Sequence, residues 1–180
     1  MLETVSSSQT KESSGMATVH HWSPPPSPYL KINSDAAVSV AKNLSVLSAV
    51  CRNSTGEVVR WGVSFLHGCI NAEQAEARAV HFGLQIAKDL RVAGLICEMD
   101  VLNVANRLRN PCAADDYLQL LIDDCLADSV GMDVRFQFVK HDCNHVAHSL
   151  AKWGIFFGRS CVSDGNVPFP VNELVTLLVH

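Results

Sequence analysis

A chain of 180 residues has room for one domain with appendages and a substantial core. With 48% hydrophobic and 18% charged residues, its composition excludes a disordered chain and favours a globular one. A net charge of −4 and a pI near 6.0 exclude bulk attraction to a polyanion, which would need a local cluster of cations to bind.

The elements follow in chain order. Residues 1–28 hold seven serines and four of the seven prolines, with almost no periodic apolar pattern. They read as a disordered leader ending in the stiff polyproline stretch PPPSP, and they lack the apolar core of a secretory signal. The spacing then predicts a strand over 29–38 (YLKINSDAAV), a second over 44–52 (LSVLSAVCR), the turn NSTGE, and a third strand over 58–66. Three strands joined by short loops make an antiparallel meander. From Ala72 to Leu90 the period changes: apolar residues at 72, 75, 79, 83, 86, 87 and 90 mark a helix, with Gln74, Arg78, His81, Gln85 and Lys88 opposite.

GLICEMD (94–100) follows as a strand, VLNVANRLR (101–109) as a short helix stopped by Asn110-Pro111, and 115–130 as an amphipathic helix. DVRFQFVK (133–140) alternates as a strand. NHVAHSLAKWGIFF (144–157) closes as a helix, and residues 163–180 form a tail with a short apolar helix. The order βββ-α-β-α-α-β-α predicts an α/β fold with a five-stranded mixed sheet: three antiparallel strands, parallel additions, and helices on the faces. The division is thus leader 1–28, domain 29–162, tail 163–180. No run reaches the roughly 18 apolar residues of a membrane span. Seven cysteines, scattered without a CxxC pair, predict reduced thiols and an intracellular protein.

Three carboxylates break this pattern. Asp35 lies inside a strand, where aspartate is disfavoured. Glu76 falls within the apolar stripe of its helix, where an uncompensated charge costs several kcal/mol. Asp100 ends a strand and opens a helix. Singly, Asp35 reads as a strand-end kink, Glu76 as a snorkelling side chain and Asp100 as a helix N-cap. Together they fit one site. Asp35 and Asp100 sit late on two strands separated by one helix, as in a parallel pair, and Glu76 is in the first turns of that helix on its sheet side. A hard divalent cation relieves the three desolvation costs at once.

The ordered motifs resemble the type 1 ribonuclease H domain, in the branch found in retrotransposon-derived plant proteins. W-x-PP (22–25) leads to KINSDAA (31–37), similar to the family's first-strand aspartate. AEARAVHFGLQIA (75–87) resembles its Ala-Glu helix, ICEMDVLNV (96–104) its Glu-x-Asp strand end, and NHVAHSLAKWG (144–154) its Asn-x-x-Ala-Asp-x-Leu-Ala helix. The resemblance implies a ribonuclease H-like fold and an endonuclease that cuts the RNA strand of RNA–DNA hybrids with two Mg²⁺ ions. Mn²⁺ is the alternative ion. It also implies Asp35, Glu76 and Asp100 as ligands, with His148 standing where the family has its fourth carboxylate. Periodicity instead sets His148 with His145 and Lys152 on the polar side of its helix, where it reads as a solvated histidine.

His141 follows the strand after which type 1 enzymes carry a histidine that assists proton transfer. As a metal box, HDCNHVAH lacks the second ligand pair that structural zinc needs. For substrate contact the candidates are Asn103, Asn106, Arg107 and Arg109, recognising a hybrid by shape and without regard to sequence. A monomer with no membrane partner is expected. The competing readings are an inactive nucleic-acid-binding module of the same fold, and a scaffold with three coincidental acids.

Overall fold

The computed structural model describes residues 21–177. Three consecutive strands, β1 (Leu30–Ser39), β2 (Leu44–Arg52) and β3 (Val58–His67), form the expected meander. The β2–β3 turn is held by the Asn53 side chain, whose Oδ1 accepts from the amides of Thr55 and Glu57, and Gly56 supplies a φ of 83°. Helix α1 (Ala72–Ala87) then crosses the sheet and delivers the chain to β4 (Leu95–Met99), parallel to β1. Helices α2 (Leu102–Arg109) and α3 (Tyr117–Asp128) lead to β5 (Val134–Phe138), parallel to β4.

The sheet has six strands, in the order β5-β4-β1-β2-β3-β6. The sixth, β6 (Cys161–Asp164), corrects the expected count of five and pairs antiparallel with β3. It is short and mostly exposed, so it carries no apolar alternation that could announce it. Arg60 pins it by an ion pair to Asp164, with Nε 2.6 Å from Oδ1.

The two faces of the sheet carry separate cores. On one, α1 packs over Ile32, Ala49, Cys51 and Cys97, and α3 lies outside it. Gly83 permits the close approach, since a Cβ there would stand 3.0 Å from Ile32 Cγ2. On the other, helix α4 (His145–Phe157) packs over Val46, Val50, Trp61 and Val63. At Gly154 a Cβ would come within 2.6 Å of Val46 Cγ1, so glycine sets how deeply α4 sits.

Val167 and Val171, near the end of the described residues, join this second core. Of the expected leader, residues 1–20 lie outside the described residues, but Trp22 is only 5% exposed and covers the Arg52 guanidinium at 3.4 Å. Within 21–28, Trp22 and Pro25 are buried and the other residues are exposed. Of the tail, helix α5 (Val171–Leu177) packs back through Val167 and Val171, while 178–180 lie outside the described residues. All seven cysteines are free. Those at 51, 97 and 125 are buried, and burial pushes their thiols up. Among the described residues no helix is long and apolar enough to cross a membrane.

Candidate metal centre

Register brings the carboxylates together. The β1–β4 ladder pairs Leu30 with Leu95 and Asn33 with Glu98, an offset of 65 residues, and the same offset sets Asp35 against Asp100 just past the end of β4. On β1 the alternation directs Lys31, Asn33 and Asp35 to the α4 face, and Ile32 to the α1 core. Glu76 enters from the second turn of α1, at the carboxyl ends of these strands. Among the described residues, Asp35, Glu76 and Asp100 alone form a convergent set of three potential metal ligands, one oxygen from each lying within 4.8 Å of the others.

Burial makes this costly without a cation. Asp35 is 4% and Glu76 6% exposed, and the Asp100 side chain is 12% exposed. The Ala36 amide donates to Asp35 Oδ1 at 2.8 Å and, more weakly, to Glu76 Oε1 at 3.2 Å. Glu76 Oε2 is buried with no hydrogen-bond partner. Burial, and then the neighbouring Asp35 and Asp100, push the Glu76 carboxyl up to about 10. The glutamate therefore does not snorkel. Asp100 does not cap a helix either: the residue at the N-cap of α2 is Val101, without a side-chain bond, and Asp100 Oδ2 turns instead to His141 Nδ1 at 2.8 Å. An orphaned buried carboxylate oxygen, facing two more carboxylates, fits a hard divalent ion.

Two histidines flank the acids. His148 Nδ1 lies 2.7 Å from Asp35 Oδ2, so it faces inward and is not the solvated residue that helical periodicity suggests. The α4 helix begins at the ends of β1 and β4, and its first turns overhang the site. The rings of His141 and His148 meet edge to face at 4.5 Å. With each Nδ1–H donating to its aspartate, each Nε2 is left as a lone-pair nitrogen.

Sequence reasoning missed the clamps beneath them. Ser48 Oγ donates to the Ala147 carbonyl at 2.7 Å and lies 3.2 Å from the Asp35 carbonyl. Asn144, which precedes α4 like a cap, donates instead through Nδ2 to the Ser34 carbonyl at 2.9 Å. Both fix α4 against β1 beside Asp35. A polar residue in an otherwise buried strand was the available signal for Ser48.

The substrate candidates are less concentrated. Asn103 donates to Glu73, and Arg107 makes a two-pronged bond to Asp116, which also holds the guanidinium above its usual range. Asn106 is exposed and receives the Arg109 guanidinium at 3.4 Å.

Fold and carboxylate cluster together define a ribonuclease H-like domain. The chain belongs to the reverse transcriptase-like family, which matches residues 33–154. Among solved structures it is similar to the N-terminal RNase H domain of a Mycobacterium tuberculosis protein, with a TM-score of 0.64 at 18% identity over 72% of this chain and 94% of that one. RNase H1 of Halobacterium salinarum matches with a TM-score of 0.65 at 20% identity, over 72% and 98%. LC11-RNase H1, from compost and solved in complex with an RNA/DNA hybrid, matches at 0.62 and 14%, over 72% and 98%. No curated protein matches the chain.

Proposed function

We propose that this protein is a metal-dependent endonuclease that cuts the RNA strand of RNA–DNA hybrids without regard to sequence. One observation carries the reading: three carboxylates, those of Asp35 and Glu76 buried and that of Asp100 half-buried, converge within 4.8 Å, and Glu76 Oε2 has no hydrogen-bond partner. Asp35, Glu76 and Asp100 would hold two divalent ions, Mg²⁺ or Mn²⁺, with His148 as the fourth ligand. Ions bound there supply an acidified water as nucleophile and neutralise charge at the leaving oxygen. The origin in a retrotransposon-derived branch rests on the ordered motifs alone.

The chain's own residues do the rest. The Ala36 amide fixes the Asp35 carboxylate, and Ser48 and Asn144 hold the strand beneath it against α4. His141, 2.8 Å from Asp100, stands where a proton leaving the attacking water or reaching the departing 3′-oxygen can be relayed to solvent. Asn103 and Asn106 lie on α2, directly after Asp100, and contact the sugar edge of the hybrid. Arg107 reaches phosphate only by exchanging its Asp116 partner. A monomer suffices, because one chain carries every named group.

The test is cleavage of an end-labelled hybrid in Mg²⁺ and in Mn²⁺. RNA-strand products are expected, more in Mn²⁺, with a loss of about a thousandfold in Asp35→Asn from several kcal/mol of lost transition-state stabilisation. Unchanged cutting by that variant would place the chemistry elsewhere, and binding without cutting in either ion would leave an inactive module.

A further inference from the structure

The chain is acidic overall, yet two long stretches, 36–56 and 143–163, contain no aspartate or glutamate. The fold sets them side by side. The β1–β2 turn meets the C-terminal half of α4, where Lys42 Nζ donates to the Ile155 carbonyl at 3.2 Å and lies 5.2 Å from the Phe156 ring centre. Along α4, His148, Lys152 and Phe156 follow at four-residue intervals and so share one face. That face begins at Asp35 and ends about 12 Å away, at about 1.5 Å per residue. Its far end is a phenylalanine ring 83% exposed, where a buried contact would be the ordinary use of such a side chain.

Beside the ring, Lys152, Trp153 and Pro170 help line an apolar cleft of ≈ 270 Å³ between α4 and the start of α5. The acids of the α4 face are Asp35 at the metal-centre end, 2.7 Å from His148, with Asp142, 3.7 Å from His145, and the exposed Glu173 on α5 on the flanking elements. Among the described residues neither Lys42 nor Lys152 has an acidic partner.

We infer that this ridge is a docking track for a single nucleic-acid strand running out of the metal centre, with Phe156 stacking on a base and Lys42 and Lys152 on its phosphates. The inference rests on the ribonuclease reading above and extends it from the scissile bond to the flanking strand. Charge and shape choose the occupant. Cations without acids suit a polyanion, and an exposed aromatic between them needs a π-face to cover it. A duplex keeps its bases stacked inward, so only an unpaired strand offers one. Some 12 Å corresponds to three or four phosphates at about 3.4 Å per step. The natural substrate is thus a hybrid that continues into single strand.

Fluorescence anisotropy in chelator, where nothing is cut, compares a blunt hybrid with the same hybrid carrying a single-stranded extension at each end in turn. The wild-type chain binds one extended hybrid more tightly than the blunt one. Phe156→Ala removes that gain, roughly fivefold to a hundredfold, and leaves blunt binding and the melting temperature unchanged. Lys152→Ser lowers the slope of log affinity against log salt by about one for the extended hybrid only. Equal affinity for blunt and extended hybrids, with blunt binding intact, overturns the track and leaves the ribonuclease reading standing. Loss of binding to both overturns the two together. If Phe156→Ala alters only the oligomeric state, the ridge belongs to a second copy of the chain and the inference fails.

Discussion

The row Lys31, Asn33, Asp35 on one face of β1 buries polar groups at both ends, and the two ends do so in opposite ways. At the Lys31 end opposite charges meet, although Arg52 Nε and Nη1 and Trp22 Nε1 find no hydrogen-bond partner. Lys31 Nζ is 2.7 Å from Glu98 Oε1, Asn33 Nδ2 donates to Glu98 Oε2 at 2.9 Å, and Arg52 Nη2 donates to Asn33 Oδ1 at 2.8 Å. Trp22 covers the guanidinium, which burial holds down at about 10. At the Asp35 end, two residues further along the same strand, three acids meet, and Glu76 Oε2 is left without a hydrogen-bond partner. The difference separates a cluster of opposite charges from a cluster of like ones. Like charges gathered at one point favour a cation from outside.

Breaking the mixed-charge network has the largest expected effect. Glu98→Ala strands Lys31 with a buried, uncompensated charge and costs about 3–5 kcal/mol in urea unfolding. A loss below about 1 kcal/mol would mean that water already reaches Lys31. The all-acid cluster behaves the other way, because removing one acid relieves repulsion: Glu76→Gln in chelator is neutral or stabilising.

Divalent ions sharpen the contrast. Without them, Glu76 titrates near 10 in the folded chain, through burial and then Asp35 and Asp100, against about 4.3 when unfolded. Between those values the folded state keeps a proton that the unfolded state has lost. Stability from this group is therefore full below about pH 4.3 and declines as pH rises toward 10. Thermal melts in chelator are expected to fall across that window. Mg²⁺ or Mn²⁺ at about a hundred times Kd adds about 2.7 kcal/mol, a rise of about 5–10 °C, and flattens the slope. A chelated protein that gains stability from neutral to alkaline pH, or melts identically with ions, would contradict the site.

The smallest expected change is a gain. His148→Asp restores negative charge beside Asp35 and raises Mg²⁺-supported cutting up to about tenfold, with little change in Mn²⁺. Equal rates in both ions before and after substitution would place His148 outside the ligand set.

Most of the architecture was legible because its elements are amphipathic. Helices α1, α3 and α4 each bury one face, which leaves a period in the sequence, and β2, buried along its whole length, reads as a continuous run of apolar and small residues. The three acids were legible for the same reason, as polar residues where that period demands apolar ones. Elements that bury little left no such trace. β6 is exposed along most of its length, and Trp22 touches the core as a lone residue in a proline-rich stretch.

The amino-acid sequence by itself determined most of the strands and helices, and it singled out Asp35, Glu76 and Asp100 as a set, since the amphipathic elements follow from local hydrophobic pattern. Only the tertiary structure decided what those groups face. The 65-residue offset between β1 and β4, and the seat of α4 at Gly154, set His148 against Asp35 and Lys31 against Glu98. Periodicity reports that a side chain points inward or outward. It carries no information on which distant residue waits there, because packing between elements is what selects the partner.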